Sequence, residues 1–105
     1  MNLLFICSRN QWRSPTAEAI FRNSAVHTAR SAGTSDSARV KVTEKMIAQA
    51  DLIFAMEQKH KQLLQQRFQT DKPIIVLEIP DEYQYMDEEL VAMIKDAVVP
   101  HLGLC

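Results

Sequence analysis

The chain has 105 residues, 47% hydrophobic and 24% charged, and its 12 Lys+Arg against 13 Asp+Glu give a net charge of −1. That is the composition of one globular domain over residues 1–105, able to remove about two-thirds of its unfolded surface from water. It excludes a surface basic enough to hold nucleic acid or anionic membrane by charge alone, so any anion site must be local.

The opening MNLLFIC is too short an apolar run for a signal-peptide core or a bilayer span, which predicts a cytoplasmic protein. Residues 2–6 read as a strand buried on both faces, as in a parallel sheet. The pattern then changes. Ser14 suits an N-cap and Pro15 a first helical position, and Ala17, Ile20, Phe21 and Ala25 share one face of a helix expected to run to about residue 26. Thr28, Ala29 and Ala32 ahead of Gly33 predict a second strand. The polar stretch 34–42 reads as loop, and Thr43 caps a helix through Met46, Ile47 and Ala50.

Residues 51–56, DLIFAM, are a third strand, and the polar segment after them puts Leu63, Leu64 and Phe68 on one side of a helix. A fourth strand is expected over 74–79, followed by a helix capped by Asp87 with Leu90, Val91, Ile94, Ala97 and Val98 facing the core and Pro100 ending it. Four strand–helix pairs with short connections predict an α/β domain, a parallel sheet covered by helices on both faces. In such sheets ligands bind beyond the carboxyl ends of the strands.

That position holds Cys7. Cys7 and Arg13 stand six residues apart, between the first strand and the first helix, so the loop amides and the helix N-terminus converge on one anion. The thiolate is the nucleophilic form of cysteine, and these amides together with Arg13 favour both that anion and the oxygens of a phosphoryl group. Arg13 suits the task better than lysine because its planar fork binds two oxygens at once. Ser14 is placed to donate to the sulfur, and Asn10 is the candidate for the left-handed turn of a loop without glycine. Taken alone, Cys7 reads equally well as a small buried hydrophobe; the preceding strand and the Ser-Pro helix start favour the site. Cys7 and Cys105 have neither disulfide-framework nor zinc spacing. His27, His60 and His101 lie on separate elements without ligand spacing and read as surface or helix-end residues, so no metal and no cofactor is expected.

The run ICSRNQWRSPTAEAIFR resembles the loop of the low-molecular-weight protein tyrosine phosphatases, and RSAGT (30–34) and ADLIFAM (50–56) extend the similarity in order along the chain. The resemblance implies a three-layer αβα sandwich of flavodoxin-like topology with a four-stranded parallel sheet of order 2-1-3-4. It implies Cys7 as nucleophile, Arg13 as phosphate clamp, Asn10 as loop-shaping residue and Ser14 as the hydroxyl assisting the thiolate. Ser8, Arg9, Gln11 and Trp12 complete the substrate-binding loop. In IPDEYQYMD, Asp81 with Tyr83 corresponds to the family's acid loop, with Glu82 where proline usually follows and Asp87 as a reserve acid. By its residues alone, Asp81 reads as a solvated turn residue, and Tyr83, like Tyr85, as either a substrate-binding wall for an aromatic leaving group or a tyrosine packed on the core.

The implied reaction is phosphate monoester hydrolysis through a phosphocysteine, on a phosphorylated protein or small aryl phosphate. Inorganic phosphate or another oxyanion would fit the loop, and the chain is expected to be a monomer or weak dimer with no nucleic acid or membrane partner. Arg9 replaces a usual glycine, Trp12 a frequent second cysteine and Gln11 an apolar residue, so the departures fall where substrate is selected. Competing readings are an arsenate reductase using Cys105, a non-hydrolytic cysteine phosphocarrier or phosphate-binding module, and a phosphatase resembling those of phosphoserine in polymerase tails. Asp81 separates hydrolase from carrier.

Overall fold

The apolar run after Met1 forms β1 (Asn2–Cys7), and every residue of it beyond Asn2 is buried. The computed structural model describes residues 1–22 and 26–102, so the expected helical position of Ala25 and the terminal Cys105 lie outside the described residues. β1 is central. It pairs in parallel with β2 (Thr28–Gly33) on one side and β3 (Leu52–Ala55) on the other, and β4 (Ile74–Val76) extends the sheet beyond β3. The order is β2-β1-β3-β4, as the resemblance implied.

Period-two alternation divides the strand residues between two cores. Leu3, Phe5, Leu52 and Phe54 face Ala17 and Phe21 of α1 (Arg13–Phe21) and Leu90, Ile94 and Val98 of α4 (Glu88–Val98). Leu4, Ile6 and Ile53 face Ile47 of α2 (Glu44–Gln49) and Leu64 of α3 (Gln58–Phe68). The three-layer αβα sandwich follows, since each face of a doubly buried sheet needs its own helical cover. On the first face Phe5 stacks between Phe21 and Phe54, with ring centroids 5.7 and 5.3 Å away.

The caps expected at Thr43 and Asp87 form. Thr43 Oγ1 accepts from the Met46 amide at 3.2 Å, and Asp87 Oδ1 from those of Glu89 and Leu90 at 2.9 and 3.4 Å. A short 3-10 turn, Val99–Leu102, carries Pro100 past the end of α4. Three boundaries differ from expectation. The first helix starts at Arg13 with Trp12 as N-cap, so Ser14 is not the cap and Pro15 sits third in the helix. The Ser14 hydroxyl is committed to Cys7 instead, and Pro15 is tolerated because first-turn amides have no intrahelical acceptor. That helix ends at Phe21, with Val26 beyond it and exposed. The fourth strand stops at Val76 because Glu78, at φ 56°, turns the chain across the carboxyl end of the sheet. Among the described residues no helix is long and apolar enough to cross a membrane.

Candidate active site

The chain leaves β1 toward β2 on one side and later crosses to β3 on the other, so the loop after Cys7 occupies the topological switch point of the sheet. Its curl is enforced from outside. The amides of Thr34, Ser35 and Arg39 donate to the carbonyls of Cys7, Ser8 and Arg9, and Arg39 Nε donates to that of Asn10 at 3.0 Å. Four consecutive carbonyls are thereby turned outward. A trans peptide sets N–H opposite C=O, so the amides of residues 8–11 face inward, a nest for an anion. Asn10 takes the left-handed conformation at φ 56°, and its amide donates to Cys7 Sγ at 3.2 Å. The outer loop can press this close because position 33 is glycine: a Cβ there would stand 2.5 Å from the Ser8 carbonyl oxygen and 2.6 Å from Ala38 Cβ.

Behind the loop, Asn10 Nδ2 donates to Ser14 Oγ at 2.8 Å and Ser31 Oγ at 2.9 Å, and the Ser31 hydroxyl in turn donates a hydrogen bond to Glu18. With an acceptor site of Ser14 filled by Asn10, its hydroxyl proton is free for Cys7 Sγ, 2.9 Å away. Arg13 is buried. Its Nη1 donates to Glu57 Oε2 at 2.6 Å and to the Ile79 carbonyl at 2.8 Å, which uses both protons of that nitrogen. Nε and Nη2 are left as a two-pronged face, and Asp81 Oδ1 lies 3.7 Å from Nε.

Neither Glu57 nor His60 was expected here. His60 is fully buried, not a surface residue, and it belongs to the first turn of α3. Its Nδ1 accepts from the Glu57 amide at 3.0 Å, which places the ring proton on Nε2, directed at Ser8 Oγ 2.9 Å away. Burial, then the Arg13 charge, push the His60 value down to about 4, so the ring is neutral. For Glu57 burial acts upward, but the Arg13 hydrogen bond and charge prevail and the net displacement is downward. One helix start thus holds both ends of the loop: Ser8 through His60 and Arg13 through Glu57. The sequence signal was present in Glu57 three residues before His60, a helix-start spacing, but in that motif serine and glutamate normally hold those places.

A cavity of about 280 Å3 opens on the sulfur, lined by Cys7, Ser8, Arg9, Gln11, Trp12, Arg13 and Asp81. Asn10 and Ser14 are buried behind it. Tyr83 is not brought to the cavity and packs, half-buried, against the core. Asp87, the expected reserve acid, caps α4 through Oδ1 and is not among the residues lining the cavity. No group of three or more His, Cys, Asp or Glu side chains among the described residues could hold a metal ion.

The family model described as low molecular weight phosphotyrosine protein phosphatase matches residues 2–48, the stretch that carries the loop, α1, β2 and the outer loop. Over that stretch the chain is similar to that family. The protein-arginine-phosphatase of Bacillus subtilis is 30% identical over 95 residues, which cover 65% of this chain and 63% of that protein, so the chain spans under two-thirds of its curated relative's length. An arginine phosphatase from Geobacillus stearothermophilus superposes at TM-score 0.72 with 21% identity, over 96% of this chain and 92% of that one. The tyrosine phosphatase Wzb from Escherichia coli K30, solved with phosphate, superposes at 0.76 with 23% identity, over 97% and 98%. At these identities the two structures show a fold shared with this chain.

Proposed function

We propose that the chain hydrolyses phosphate monoesters on a phosphorylated protein or small aryl phosphate, as a cysteine-dependent phosphatase formed by residues 1–105 as one domain. The observation that carries this reading is the convergence of inward amides, the free face of Arg13 and the Asp81 carboxylate on Cys7 Sγ in one cavity. The Cys7 thiolate attacks phosphorus while Asp81 gives a proton to the departing ester oxygen; the P–O bond breaks and a phosphocysteine forms. Asp81 then takes a proton from water, whose oxygen attacks phosphorus. The S–P bond breaks, inorganic phosphate departs, and the Ser14 hydroxyl meets the returning thiolate. Charge on the equatorial oxygens is met by the loop amides and by Arg13 Nε and Nη2. In this mechanism Ser8, Arg9, Gln11 and Trp12 shape the substrate cavity and Asn10 maintains the curl.

Asp81 stands largely exposed at the mouth, in place to reach a leaving group and solvent water alike. Its presence favours hydrolysis over a phosphocarrier, which needs no acid. The arsenate-reductase alternative depends on Cys105, outside the described residues. A second reading of the substrate, phosphoarginine, is favoured by the arginine phosphatase among the relatives.

The test is turnover of p-nitrophenyl phosphate and of phosphotyrosine and phosphoarginine peptides, without added metal and with vanadate as inhibitor. Cys7→Ser is expected to abolish turnover. Asp81→Asn should slow substrates with poor leaving groups by about 10²–10⁴ and those with good ones far less. Wild-type protein that binds phosphate yet turns over none of the three would overturn the hydrolase reading in favour of the carrier.

A further inference from the structure

A second cavity of about 340 Å3 adjoins the first, and Gln11 lines both. Arg22 at the end of α1, Arg39 of the outer loop, Pro15 and Tyr85 contribute further walls. Its one carboxylate, Glu18, already accepts from Ser31. Arg39 is anchored through Nε to the Asn10 carbonyl, and its terminal nitrogens and the Arg22 guanidinium have no ion-pair partner among the described residues. Tyr85 is held over α1 because the next amide, of Met86 at φ 61°, donates to Thr16 Oγ1 at 2.9 Å. The acid loop therefore ends in two fixtures: Asp81 over the sulfur and Tyr85 over the second cavity.

A phosphorylated side chain that reaches Cys7 leaves its main chain at the cavity mouth, and a neighbouring residue then passes over Gln11. We infer that the second cavity is a substrate subsite that takes an acidic side chain flanking the phosphorylated residue, held by Arg22 and Arg39 with its methylenes against Tyr85. Two guanidiniums set beside an aromatic wall match a carboxylate and repel a lysine at the same place. This rests on reading the first cavity as a phosphoryl site.

The experiment compares kcat/KM for phosphotyrosine peptides that differ only in Asp, Ala or Lys at positions beside the phosphoresidue, each normalised to p-nitrophenyl phosphate. Partly exposed charge pairs predict a preference for Asp over Ala of about fivefold, shrinking as salt is raised, with Lys below Ala. Arg22→Glu should remove or invert that order while leaving p-nitrophenyl phosphate turnover intact, and Tyr85→Ala should weaken it. Equal rates for the three peptides overturn the inference while leaving the phosphatase reading standing. If none of these compounds and no phosphoarginine peptide is turned over, the phosphatase reading falls instead, and calorimetric binding of the phosphotyrosine peptides to Cys7→Ser decides the subsite: tighter binding of the Asp peptide supports it, and equal binding overturns it.

Discussion

At the scale of single residues, His60 has the role least expected from its type. A buried histidine whose Nδ1 accepts from a backbone amide is neutral, and here it ties the start of the loop to the residue that holds the arginine. Replacing it with alanine leaves the half-buried Ser8 hydroxyl and Glu57 amide without this partner and opens a gap where the ring was buried, a loss of about 1–3 kcal/mol in urea unfolding. If the ring positions the loop, His60→Ala should also weaken vanadate binding about tenfold or more at a pH where the variant is folded. A variant that is less stable but binds vanadate as tightly as wild type would reduce His60 to a packing role. The meeting of Cys7, Asn10 and Arg13 in one loop was legible in the sequence because the pattern is local: a thiol at a strand end, a left-handed turn and a guanidinium at a helix start within seven residues. Glu57 and His60 were not, because a polar residue on a polar helix gives no sign of which neighbour from another strand it will meet.

At the scale of elements, the loop depends on a second loop for its shape. The stretch 34–42 read only as a polar connection, yet its amides and Arg39 take the outward carbonyls that leave the inner amides free. Gly33 permits this contact through its lack of a side chain. A methyl group there meets backbone at 2.5 Å, so Gly33→Ala must push the two loops apart. We expect a loss of about 1–3 kcal/mol on overpacking grounds, together with a loss of phosphate affinity larger than stability alone explains. Chemical denaturation and phosphate titration of the same variant would check this; unchanged affinity would mean that the outer loop does not shape the nest. The helix caps at Thr43 and Asp87 were legible because a cap is a contact within three residues. The start of α1 was misplaced because the apparent cap, Ser14, has a stronger call on its hydroxyl from Cys7 and Asn10.

For the whole molecule, His60 and Glu57 at the start of α3 couple stability to pH. His60 ordinarily titrates near 6.5 and is pushed down to about 4 in the fold, so between those values the unfolded chain binds a proton that the folded chain does not. Stability is therefore complete above about pH 6.5, declines as pH falls and levels off below about 4. Glu57, displaced downward from 4.5, adds a further loss on the acid side of that value. Thermal unfolding from pH 7 to pH 4 should show this decline, and His60→Gln should flatten it above pH 4.5. An unchanged slope in that variant would assign the pH dependence to other groups.

The sequence by itself determined the class of fold and the place of the loop, because both rest on short-range pattern: continuous apolar runs for buried strands, caps beside apolar periodicity for helices, and Cys7 to Arg13 at a strand end. What the tertiary structure alone decided is what surrounds that loop. Glu57, His60, Ser31, Arg39 and Tyr85 come from four separate parts of the chain, and packing, not spacing, delivers them to it. Their partners are fixed by the parallel register, in which Cys7 lies beside Gly33 and Met56 beyond Ile6, so the starts of two loops and one helix meet at the carboxyl end of one strand.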